Sequence, residues 1–145
     1  ALADCIGLLL DGRLAQYDIP EAFYRRPATE AVSRFFGGVN FIPGTVRGGQ
    51  FHSALGPMAL PAGSAQGDHL LTIRPESLRL GPGENARDAT VTALTFLGTQ
   101  TRVDLSVGGI ALQALAPPDA ARTVGPGDRI TVALPPEALW LLPAS

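Results

Sequence analysis

Apolar and polar positions change rhythm twice along this chain. Ile6 to Leu10 (Ile-Gly-Leu-Leu-Leu) show no alternation, which fits a strand buried on both faces, as in a parallel sheet. Asp11-Gly12 then predicts a tight hairpin, with Arg13 to Gln16 returning as an edge strand. Ahead of this run, Ala1-Leu2-Ala3-Asp4-Cys5 reads as the tail of a helix already under way. The chain therefore reads as starting inside a larger α/β domain. Pro20 suits a first helical position and Glu21 the positive end of the helix dipole, with Asp18 as a candidate cap. That helix is expected to stop before Pro27, because the residue preceding a proline resists helical dihedrals. A second helix is expected from Thr29 to Phe36, with Val32, Phe35 and Phe36 on one side and Gly37 as its stop.

After Gly37-Gly38 the period drops to two. Gly48-Gly49 and Gly108-Gly109 read as hairpin turns, and Leu97-Gly98-Thr99 as another reversal. Thr101 to Val107 alternate, with Val103, Leu105 and Val107 inward and Arg102, Asp104 and Ser106 outward. Arg129 to Leu134 do the same, with Ile130, Val132 and Leu134 inward. These are half-buried strands of antiparallel sheets. The expected division is an α/β remnant over residues 1–38 and a mainly β unit over residues 39–145.

An internal repeat lies in the second part. Gly67-Asp68, Leu71-Thr72-Ile73, Pro75-Glu76, Leu78 and Leu80 recur as Gly127-Asp128, Ile130-Thr131-Val132, Pro136-Glu137, Leu139 and Leu141. Each copy reads as turn, strand, Pro-Glu corner, short strand. Proline presets the corner, and the glutamate is expected to accept from backbone amides freed there. Two similar half-units predict a barrel or sandwich with approximate two-fold internal symmetry.

Composition narrows the function. An apolar fraction of 46% supports a core, and 17 glycines with 13 prolines suit a turn-rich β fold. Net charge is −2, all 11 basic residues are arginine, and they form no stripe, which argues against binding a phosphate backbone. One cysteine excludes an internal disulfide, and Cys5, beside an apolar strand, is expected to pack rather than react. No apolar run is long enough to span a bilayer, and no basic leader precedes an apolar stretch. A phosphate-binding loop needs a lysine that is missing everywhere, so neither binding nor hydrolysis of nucleotide is expected here. His52 and His69 stand alone, without the ligand spacing of a metal site.

Three features remain as ligand or interface candidates. Arg74 and Glu76 straddle Pro75, either as a site for a ligand or partner or as a structural corner with a solvated ion pair. Thr95, Gly98, Thr99 and Gln100 offer hydroxyls, an amide and a glycine turn, either as an oxyanion cradle or as a plain hairpin. Trp140, the one tryptophan, takes an outward position by alternation, where an interface or a covering loop would explain it.

Residues 1–16, Pro20-Glu21-Ala22-Phe23-Tyr24-Arg25-Arg26-Pro27-Ala28-Thr29 and Phe35 to Phe41 resemble the end of an ABC-transporter ATPase subunit, just after its switch histidine. The remainder, with Arg74-Pro75-Glu76 and Leu94 to Leu105, resembles the TOBE regulatory domain of maltose-, iron(III)- and polyamine-type importers. The resemblance implies an OB-like barrel or sandwich behind a remnant of the ATPase domain. It implies a regulatory, dimer-forming role, with docking on transmembrane permease subunits left to the parent protein. The family's catalytic residues all precede Ala1, so no catalytic residue is carried over. ATP and magnesium belong to the parent subunit, and no cofactor or metal is expected in residues 1–145. The implied setting is cytoplasmic, peripheral to the inner membrane, with no nucleic acid and no direct membrane insertion. Ile19 departs from the capping Thr or Ser usual before Pro-Glu. An oxyanion-binding module of molybdate or sulfate type is the alternative, against which the missing lysine counts. A nucleic-acid-binding barrel is a further rival, opposed by the charge.

Overall fold

A computed structural model describes residues 4–144. The expected helical tail over Ala1–Ala3 lies outside the described residues. Cys5 is exposed rather than packed. Strand β1 (Ile6–Leu10) forms, and it is largely exposed here. It pairs antiparallel with β2 (Arg13–Asp18) in a two-stranded ribbon, and Leu9 is 66% exposed. No second neighbour flanks β1 among the described residues, so one edge stays unpaired. The turn has positive φ at Asp11 (52°) and Gly12 (75°), the geometry that suits Asp-Gly.

Two short helices follow, α1 (Pro20–Arg25) and α2 (Glu30–Phe35). Pro20 opens α1, where a missing N–H is harmless. Asp18 accepts from the Ile19 N–H, one position too early to cap the helix itself. Thr29 caps α2 by accepting from Val32 N at 3.3 Å. Gly37, with φ at 87°, ends it as expected. The expected apolar side is corrected: Val32 and Ser33 are buried, whereas Phe35 is 61% exposed. With only six residues, α2 turns a single stripe onto α1, and Phe36 rather than Phe35 meets Phe23, at 5.5 Å between ring centroids.

The rest is β-rich. The strands in order are β3 (Phe41–Arg47), β4 (Gln50–His52), β5 (Met58–Ala59), β6 (Gly67–Thr72), β7 (Arg79–Leu80), β8 (Arg87–Phe96), β9 (Thr101–Val107) and β10 (Ile110–Ala116). A four-residue helix, α3 (Pro118–Ala121), leads to β11 (Arg129–Ala133) and β12 (Trp140–Pro143). They build two five-stranded sheets, ordered β12-β6-β3-β4-β5 and β10-β9-β8-β11-β7. The predicted hairpins at Gly48-Gly49 and Gly108-Gly109 are present, all four glycines having positive φ. The alternation in β9 holds, with Val103, Leu105 and Val107 buried. These meet Ile42, Phe51, Leu71 and Ile73 of the other sheet in one shared core. The chain is thus mainly β, with the curled, OB-like architecture expected.

The repeat is real, and its halves exchange strands. β6 and β11 are the long strands of the two copies, and β7 and β12 the short ones. β12 pairs with β6, whereas β7 pairs with β11. Each copy therefore lends its short strand to the other's long strand. The corners at Pro75–Ser77 and Pro136–Ala138 are 3-10 turns. Their glutamates do not accept the freed amides: Ser77 N donates to Arg74 O and Leu139 N to Pro136 O, so the turn satisfies itself.

Candidate functional site

The informative region is the seam where the helices meet the sheets. Arg74 lies on the last extended residue before the Pro75 turn, which aims it back along the molecule. Its Nε and Nη2 both donate to Tyr24 O, at 3.2 and 2.9 Å, and its Nη1 donates to Phe36 O at 2.9 Å. The guanidinium also sits over the Tyr24 ring, 4.0 Å from its centroid. Tyr24 and Phe36 lie at the C-terminal ends of α1 and α2, where orphan carbonyls and the negative end of the dipole favour a cation. One planar fork thus fastens two helix ends. Burial pushes the Arg74 pKa below the usual guanidinium value, without removing the charge.

The solvated ion pair expected between Arg74 and Glu76 does not form. No ion pair joins them, because Arg74 is turned to the helices while Glu76 is exposed without a side-chain hydrogen bond among the described residues. The carbonyls it binds are 38 and 50 residues away in sequence, so only the fold brings them together.

Trp140 resolves in favour of a covering segment. It is half-buried, and its indole N–H donates to Pro27 O at 2.8 Å. On its other side the same loop is held by Gln16. The Gln16 Oε1 accepts from Ala28 N at 2.7 Å, and its Nε2 donates to Arg26 O at 3.4 Å. The inter-helix loop is therefore tied both to the β1–β2 ribbon and to the sheets.

A second tie sits at the entry to β3. Asn40 is fully buried, and its Nδ2 donates to Ile73 O and Gln113 O. Its own carbonyl accepts from the Thr72 hydroxyl at 2.8 Å. Asn40, Gln16 and Tyr24 were not among the candidates from sequence. A polar Asn40 between Val39 and Phe41 was the one local hint.

Thr95, Gly98, Thr99 and Gln100 lie elsewhere, on the β8–β9 hairpin. Leu97 N donates to Gln100 O at 2.8 Å, closing the turn on itself as a plain hairpin does. Arg102 approaches Thr95 Oγ1 at 3.4 Å and Asp104 at 3.7 Å. The fold thus brings Arg74 and Trp140 to one cavity wall and leaves the hairpin residues apart.

The chain matches a family described as TOBE domain over residues 71–142, from β6 to β12, so the match covers both repeats. It is 39% identical over 105 residues to the Fe(3+) ions import ATP-binding protein FbpC of Streptomyces avermitilis, covering 72% of this chain and 30% of that protein. It is 36% identical over 142 residues to the sn-glycerol-3-phosphate import ATP-binding protein UgpC of Chromohalobacter salexigens, covering 92% of this chain and 38% of that protein. The chain thus spans about a third of the length of these relatives. Among solved structures, the cytoplasmic molybdate-binding protein ModG in its molybdate-bound form superposes with a TM-score of 0.64. The two are 15% identical, and the match covers 74% of this chain and 98% of that one.

Proposed function

The chain belongs to the family of importer ATP-binding subunits that carry a TOBE domain, and on that premise we propose that it is the regulatory, dimer-forming unit of an ABC-type ATPase subunit. The β unit over residues 39–145 would join two such subunits by an isologous contact. Residues 1–38 would link it to the ATP-hydrolysing part of the parent protein, which docks on transmembrane permease subunits at the cytoplasmic face of the inner membrane. No helix among the described residues is long and apolar enough to cross a membrane. Catalysis stays with the parent protein.

The observation that carries this reading is the grip of Arg74 on the ends of both helices. A displacement of either helix is transmitted to the β unit through hydrogen bonds to a charged group, which are the stronger kind. Sedimentation of the whole chain at tens of micromolar tests the pairing. A two-chain mass is expected, and a monomer throughout overturns it.

The second reading is an oxyanion-binding module. Its support is the fold shared with a molybdate-binding protein. Calorimetric titration with molybdate and tungstate separates the two readings: saturable heat favours the module, and a flat trace removes it.

A further inference from the structure

A cavity of about 360 Å3 opens at the seam beside Arg74. Its walls include Tyr24, Arg26, Arg74, Glu137, Leu139 and Trp140. The volume lies at the lower end of small-molecule sites, which favour boundaries between packed units. It has room for roughly a dozen waters, each claiming about 30 Å3.

The charges in this wall are unbalanced. Arg25 also borders the cavity, but it pairs with Glu21 at 2.5 Å. Arg74 gives its hydrogen bonds to neutral carbonyls and has no counter-ion among the described residues. A guanidinium has about five N–H donors, and those three bonds leave some of them free. Arg26, just past the end of α1, has no side-chain partner among the described residues. Glu137 is an exposed carboxylate without a side-chain partner among the described residues. Two unpaired cations thus face one unpaired anion. The same cavity is lined by Leu139, which is buried, and the half-buried Trp140.

We propose that this cavity binds a small organic carboxylate with an apolar body. The carboxylate would bridge Arg26 and the spare Arg74 donors, and the body would rest on Leu139 and Trp140. Charge-assisted bonds to planar guanidinium are the strong and directional kind. Glu137 sets the charge limit, since it repels any ligand with a second negative group. Such a ligand touches the helical segment through Arg26 and the sheets through Arg74 and Trp140. The inference is independent of the regulatory role.

Trp140 is the one tryptophan, so its indole N–H gives a single resonance to follow. The whole chain is titrated with benzoate, with hexanoate and with inorganic phosphate. Both carboxylates are expected to shift the indole signal saturably at millimolar concentration, and phosphate to leave it in place. Arg26→Gln is expected to weaken the carboxylates at least fivefold. Arg26 is exposed, so this variant keeps the fold. No saturable shift with either carboxylate overturns the proposal. An equal response to phosphate, or unchanged affinity in Arg26→Gln, overturns it as well.

Discussion

Asn40 pairs with the backbone of Gln113 as a neighbouring strand would: its Oδ1 accepts the Gln113 N–H and its Nδ2 donates to Gln113 O, both at 2.8 Å. β10 is the edge of its sheet, and the side chain just before β3 covers that edge at its middle. Asn40→Ala leaves one buried N–H and two carbonyls short of partners. The expected loss is about 2–4 kcal/mol, given the cost of unsatisfied buried groups. Thermal melting should fall by roughly 4–16 °C for a domain of this size. Asn40→Asp should not rescue it, because a carboxylate faces the carbonyls of Gln113 and Ile73. A melting point within a degree of the parent would contradict this account.

Arg74→Gln removes the fork that fastens both helix ends. Amide exchange within α1 and α2 is expected to quicken by one to two orders of magnitude, about 1–3 kcal/mol for bonds to a charged group. The buried amides of β8 and β9 should not change. Arg74→Lys should recover little, since an ammonium lacks the rigid planar fork that spans the Tyr24 and Phe36 carbonyls. Equal acceleration in helices and sheets would show that Arg74 supports the whole fold instead.

Gly44 sits in β3 where a Cβ would lie 2.5 Å from His52 O and 2.5 Å from the Phe51 ring. Neither neighbour can move freely, one being strand backbone and the other a fully buried core ring. Gly44→Ala should destabilise the fold by at least 1–3 kcal/mol, in the range of overpacked cores. Urea denaturation followed by Trp140 fluorescence measures it, and an unchanged midpoint refutes it.

ATP with magnesium should give no saturable heat with this chain. The chain has no lysine, and so no phosphate-binding loop of the Gly-Lys-Ser/Thr kind. Micromolar affinity in calorimetry would refute the expectation.

Local chemistry made the hairpins readable. Asp11-Gly12, Gly48-Gly49 and Gly108-Gly109 each carry their turn in two residues, and the period-two pattern of Thr101 to Val107 carries a buried face. The roles of Arg74 and Trp140 were not readable in that way. Their partners are carbonyl oxygens of Tyr24, Phe36 and Pro27, and a backbone oxygen leaves no mark on composition. A salt bridge with Glu76 was the natural expectation for Arg74, since a charge two residues away is visible while a helix end is not. The surroundings of Ile6 to Leu10 were not readable either, for a related reason. The run specifies a strand, but what lies against it depends on neighbours beyond its own residues.

The exchange of short strands between the two repeats has a kinetic consequence. β6 forms a neat pair with β3, which is made earlier, yet its other side has no partner until residues 140–143 have been synthesised. β7 likewise waits for β11. Neither repeat can complete its own sheet, so folding must wait on contacts far apart in sequence and is expected to be slow. In the interval the nascent chain carries an open strand edge able to capture a second nascent copy. The same exchange carried out between two chains would yield a domain-swapped pair, so a chaperone acting on this protein has its task set by the order in which the strands are made.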